Sequence, residues 1–126
     1  MRYLFKTHLL LFSILFCGCS VTSIESPQNT VFERPQSHIG LVPEICGYLI
    51  FESEDHNFYP NKKEVRQSEV GLGVKPRKLT ADKLYELNSK YVCLRGEIYN
   101  RGCGVDFICT DSTHEFAIRV DEVLRD

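Results

Sequence analysis

The stretch KYVCLRGEIYN (Lys90–Asn100) alternates along its length. Val92, Leu94 and Ile98 fall on one side of an extended chain, and Tyr91, Cys93, Arg95, Glu97 and Tyr99 on the other. Successive side chains of a strand point to opposite faces, so this period of two predicts a strand with one buried face. Residues 115–124, EFAIRVDEVL, repeat the pattern, with Phe116, Ile118 and Val120 toward the core. Upstream, EICGYLIFE (Glu44–Glu52) is apolar and aromatic, bounded by Pro43 and by the acidic cluster Glu52-Ser53-Glu54-Asp55. A shorter strand is predicted over 70–74, interrupted by glycines and stopped by Pro76. Residues 55–67 read as an excursion, in which Asn61 and Glu64 have the spacing of a cap on one short helical turn. Residues 79–88 predict a helix. Thr80 stands at the N-cap, Asp82 in the first turn, Leu79 and Leu84 as a staple, and Leu84 with Leu87 as the buried stripe.

Strands, one helix and then two more strands over residues 44–124 resemble an OB-type barrel, with five strands and the helix between the third and fourth. Strand–Gly–strand passages such as YVCLRGEIY are frequent in that fold. The resemblance implies a mainly β (α+β) domain over residues 38–126. The same elements laid out as an open antiparallel α+β sheet are the alternative.

The N-terminus carries a different kind of information. Arg2 and Lys6 precede a nearly unbroken apolar run over 9–16, and a polar stretch follows at once. A membrane-spanning helix needs roughly 20 apolar residues; this run matches a secretory signal peptide instead. Phe16-Cys17-Gly18-Cys19 then resembles the lipobox of bacterial lipoprotein precursors. The resemblance implies cleavage between Gly18 and Cys19 and a diacylglycerol on the Cys19 thiol, with residues 1–18 removed as the signal peptide. Ser20 resembles the pattern that sends such proteins to the outer membrane. Phe16 and Cys17 depart from the family's preferred Leu and small residue, so ordinary cleavage to a soluble periplasmic or secreted protein is the alternative. Residues 19–37 read as the lipidated cysteine and a flexible polar tether holding Pro27 and Pro35.

With Cys17 discarded and Cys19 lipidated, Cys46, Cys93, Cys103 and Cys109 remain. Four cysteines in an exported domain point to disulfides, with three possible connectivities. Cys103–Cys109 is favoured because GVDFI between them closes a small loop, and Cys46–Cys93 follows by elimination. The latter would join the first and fourth strands, neighbours in an OB barrel. Two buried free thiols at 46 and 93 are the competing reading. CGVDFIC lacks the C-x-x-C spacing of zinc or thioredoxin-like sites.

Composition and motifs narrow the function classes. The chain has 126 residues, room for one domain, with 43% hydrophobic and 25% charged residues. Loss of Arg2 and Lys6 leaves thirteen basic residues against seventeen acidic ones, a formal charge of −4. That disfavours nucleic acid as a partner. No G-x-S-x-G, H-E-x-x-H or phosphate-binding glycine loop is present, and no cofactor or metal is called for. Glu54-Asp55-His56 invites an acid–base or metal reading of a periplasmic enzyme, against the plainer reading of a solvated loop. His38 and His114 read as isolated surface positions. Tyr48, Phe51, Phe58 and Tyr59 form a candidate stacking surface for an oligosaccharide or single strand. The leading expectation is a non-enzymatic envelope protein, held in the membrane by its N-terminal lipid and binding an envelope protein or glycan.

Overall fold

A computed structural model describes residues 27–66, 69–103, 109–112 and 114–126. The stretch 1–18 expected to be a signal peptide, with Gly18 and Cys19 of the expected cleavage and lipidation site, lies outside the described residues. Helix α1 (Pro27–Glu33) and a 3-10 turn (Pro35–His38) precede β1 (Glu44–Glu52) and β2 (Asp55–Tyr59). After a second 3-10 turn (Lys62–Glu64) come β3 (Leu72–Pro76), α2 (Ala81–Glu86), β4 (Lys90–Asn100) and β5 (Phe116–Arg125). The strand order is β1-β2-β3-β5-β4, and β4 pairs back onto β1, so the sheet closes on itself. Closure leaves no pair of edges for the open sheet, and β3 and β5 run parallel rather than antiparallel.

β4 makes the closure possible. Its first half pairs with β1, from Leu49↔Lys90 to Glu44↔Arg95, and most of its length pairs with β5. The register shifts at Cys93/Leu94 and Arg95/Gly96, the irregularities by which a strand bends. Gly96 is required there: a Cβ would stand 2.1 Å from the Arg119 carbonyl oxygen. Arg95 spans the bend, ion-paired to Glu44 on β1 and donating to Glu122 on β5 at 2.6 Å. Val92, Leu94 and Ile98 point inward with Ile118 and Val120, as the alternation requires. Removing each such side chain from water contributes about 1.5–3 kcal/mol.

The helix between β3 and β4 forms where predicted, with Leu84 and Leu87 buried and Leu79 packed against the core. Thr80 has the extended backbone of an N-cap but its side chain makes no capping hydrogen bond. Asn61 does cap its turn, accepting from the Glu64 N–H at 3.1 Å.

Two stretches depart from the sequence reading. Residues 27–38 are not tether: Val31 and Phe32 are 2% and 4% exposed, and the Phe32 ring packs on Phe58 at 5.4 Å. Two adjacent apolar residues show no periodicity in a polar stretch, yet both find the barrel. The excursion after residue 54 begins with a strand, β2, masked by its polar residues Asp55, His56 and Asn57.

Candidate functional site

Among the described residues the buried polar or charged side chains are Asn57, Arg101, Ser112 and His114, and all four meet in one place. Asp111 and Ser112, from the connection between β4 and β5, lie against β2. β2 pairs with β3 at only two positions, Asn57↔Gly73 and Phe58↔Leu72. Beyond them the His56 N–H donates to the Asp111 carbonyl at 2.7 Å, so the connection takes up a donor that β3 leaves free. Every buried backbone donor needs such a partner.

The side chains continue the seam. Asn57 donates its amide to Asp55 Oδ1 and accepts at Oδ1 from the Ser112 hydroxyl, and Ser112 Oγ accepts from the His114 N–H at 3.0 Å. Arg101, at the end of β4, is ion-paired with Asp111 and donates Nη1 to the carbonyls of Ser112 and His114 at 3.2 and 3.3 Å. Lys75 Nζ lies 2.5 Å from Asp111 Oδ2, and His56 Nδ1 lies 3.6 Å from the same oxygen. Burial alone would raise the Asp111 carboxyl, but the Lys75 ammonium and the Arg101 guanidinium outweigh it and hold it below the ordinary carboxylate value. Asp111 is thus held as a carboxylate between Lys75 and Arg101.

This seam divides two clefts. One, of about 300 Å³, lies between the β1–β2 turn and the connection, with Glu54, Asp55 and Arg66 on one wall and Thr110 and Ser112 on the other. The second, of about 470 Å³, holds His56, Lys75, Tyr99 and Arg101, and shares Cys109, Thr110 and Asp111 with the first. Cys109 is bonded to Cys103, which fixes the start of this ridge to the end of β4. The other disulfide, Cys46–Cys93, joins residues directly opposite in the β1–β4 register. Both favoured pairings are present, and the free-thiol reading falls.

The sequence-predicted site residues are scattered by the strand's period. Tyr48↔Tyr59 pair on the outer face of the β1–β2 ladder, whereas Leu49↔Phe58 and Phe51↔His56 pair on the other. Phe51, Phe58 and Tyr59 are buried and Tyr48 half-buried, so the four aromatics form no stacking surface. Glu54, Asp55 and His56 do not converge either. Glu54 and Asp55 line the first cleft, and His56 lines the second, stacked on Phe51 at 3.9 Å with Tyr85 Oη 3.3 Å from its Nε2. Among the described residues no three His, Cys, Asp or Glu side chains come together as metal ligands.

His114 is not a surface residue. It is 6% exposed, its ring meets Tyr59 edge-on at 5.7 Å, and its Nε2 has no hydrogen-bond partner. Gly71 makes room for it, since a Cβ there would stand 2.7 Å from Nε2. Burial first, and then the Arg101 charge, push the imidazole below its ordinary value. No local pattern marks Asn57, Arg101, Ser112 or His114 in the sequence, because each is buried by residues far away along the chain.

On the outer face of β3, β5 and β4 the cations sit on carboxylates. Arg77 donates to Asp121 at 2.5 and 2.6 Å and Arg119 to Glu97 at 2.7 Å, with the Arg119 guanidinium 3.7 Å above the Tyr99 ring. No protein-family model and no curated protein matches this chain, so its site is defined by its own geometry.

Proposed function

We propose that this chain is a lipid-anchored cell-envelope protein whose OB-like barrel serves a non-enzymatic binding role, with a polar envelope glycan as its ligand. The strand order β1-β2-β3-β5-β4 with a helix between β3 and β4 supports the OB-like reading. The observation that carries the binding role is the position of the first cleft. It lies between the β1–β2 turn and the β4–β5 connection, the two loops with which OB-type barrels hold oligosaccharides and oligonucleotides. Its walls include the Glu54 and Asp55 carboxylates, the Thr110 hydroxyl and the Arg66 guanidinium, a set suited to the hydroxyl groups of a sugar. Cations already paired to carboxylates weigh against a polyanion such as nucleic acid.

The anchor rests on the lipobox-like residues 16–19. If it is right, the mature protein begins at Cys19 and carries acyl mass, whereas an unmodified N-terminus elsewhere removes the anchor. For the binding role, a photo-crosslinker replacing exposed Thr110 in the cleft wall is expected to capture cell-wall glycan. The same group at exposed Glu122 on β5, a strand that does not neighbour β2 on either side, is expected to capture none. Equal labelling from both positions, or none from Thr110, overturns the cleft as the site.

A further inference from the structure

Among the described residues the exposed large hydrophobics are Ile39, Leu41, Val42, Tyr85 and Tyr91, so every exposed large aliphatic side chain falls within one four-residue stretch. Ile39, Leu41 and Val42 are 50%, 55% and 47% exposed. They are not a loose loop: the Gly40 N–H donates to the Ile98 carbonyl at 2.9 Å, and the Ile98 N–H to the Leu41 carbonyl at 3.0 Å. The stretch is thus fixed alongside the C-terminal half of β4, with its side chains held in solvent. Such a rigid apolar group on a small domain marks a contact surface.

We infer that Ile39, Leu41 and Val42 rest on the lipid bilayer that holds the chain, an inference that builds on the lipidation of Cys19. The length of chain between them argues for this occupant. Folding of residues 27–38 onto the barrel leaves only eight residues, 19–26, between the lipid and α1. Eight residues span at most about 29 Å. α1 and the 3-10 turn run directly into the apolar stretch, so the anchor's tether joins the domain through the segment that leads into Ile39. From Arg34 through Pro43 the ionisable residues are Arg34 and His38; of the exposed carboxylates that bound this stretch, Glu33 and Glu44, the second is ion-paired with Arg95. The acidic β1–β2 turn follows the end of β1 that pairs with the start of β4, whereas the apolar stretch lies beside Ile98. Contact through residues 39–42 therefore turns Glu54 and the first cleft away from the membrane. An acyl anchor and a second apolar contact together hold a domain in one orientation, which one flexible anchor does not.

The chain contains no Trp, so a single introduced indole reports its own position. The test uses the full chain, processed and acylated in a bacterial host and reconstituted in phosphatidylethanolamine/phosphatidylglycerol vesicles, with and without lipids brominated on the acyl chain. Leu41→Trp is expected to shift its emission to the blue and lose intensity in brominated vesicles. Tyr91→Trp, seven residues and about 23 Å along β4 from Ile98, is expected to do neither. Acylated protein in which neither indole is quenched overturns the inference while leaving the anchor intact. Quenching of both equally shows unoriented adsorption and also overturns it. A dimer of the acylated chain in detergent that Leu41→Glu dissociates assigns the stretch to a second copy instead. A mature protein without acyl mass at Cys19 removes the anchor and this inference with it. Unchanged thermal unfolding of each variant separates these outcomes from misfolding.

Discussion

β1 and β2 each gain a partner from the second half of the chain, by opposite chemistry. β1 meets β4 through a ladder of six register positions, a disulfide and inward Ile45, Leu49, Val92 and Leu94. Among the described residues, β2 meets the β4–β5 connection through one backbone hydrogen bond and the side chains of Asn57, Arg101, Asp111 and Ser112. The first seam is non-directional and gains by excluding water. The second gains little net free energy per hydrogen bond but costs much when one partner is lost. Apolar seams make this barrel stable, and the polar seam sets where the connection lies and so shapes both clefts.

The sharpest break of the apolar side is Phe58→Ala. Phe58 is fully buried and packs on Phe32, so the variant should lose about 3–5 kcal/mol and loosen α1 as well. Urea unfolding gives the loss, and faster amide exchange over residues 30–34 reports the helix; slow exchange there would separate α1 from the core. The disulfides come next and should differ. Replacing Cys46 and Cys93 together by Ala should cost about 4 kcal/mol for a 47-residue separation, and replacing Cys103 and Cys109 about 2 kcal/mol for a separation of 6. Equal midpoint shifts in urea would contradict the chain-entropy account.

Asn57→Ala tests the polar seam. It strands the Ser112 hydroxyl and an Asp55 oxygen and should cost about 1–3 kcal/mol. Its fingerprint is chemical-shift change over 109–112 with β1 and β4 unmoved.

Acid should open the polar seam selectively. His114 faces Arg101 just after β4, Tyr59 from β2 and, farther off, Asp55, and its folded pKa is lowered from the ordinary 6.5. Below about pH 6.5 the unfolded chain therefore binds the proton that the folded chain resists, and stability falls as pH falls. His114→Gln should flatten that slope between pH 7.5 and 5.5. Asp111, lowered from 3.8, acts in a separate window: its contribution is present above about pH 3.8 and is lost as pH drops through the folded value. Smallest of all is Arg95→Ala. The Arg95 pairs with Glu44 and Glu122 are exposed and screened, so its melting temperature should match that of the parent.

What was legible in the sequence follows the same division. Strands β1, β4 and β5 and the α2 stripe were readable because each repeats an apolar face at its own period, and Cys103–Cys109 because its loop is local. β3 was displaced by two residues, since its glycines carry no pattern. β2 was illegible because it buries Asn57 where an alternating strand shows solvent, and the cover comes from Ser112, 55 residues away. The aromatic quartet failed for the converse reason. Tyr48, Phe51, Phe58 and Tyr59 look like one cluster in one dimension, but the register divides them between two faces. α1 was missed because Val31 and Phe32 meet the barrel as a pair of adjacent side chains, which no helical period announces.

The use of β4 on both sides also sets an order of events. Chain emerging from the N-terminus can form the β1–β2 hairpin early, but β1 keeps one unpaired edge until residues 90–95 arrive. β3 likewise waits for residues 117–120, its parallel partner. Non-local pairings of this kind fold slowly and leave sticky edges exposed meanwhile. Cys46 has no partner during that interval, so an incomplete chain presents a reactive thiol beside an open strand. Residues 90–95 thus decide when the first strand becomes safe.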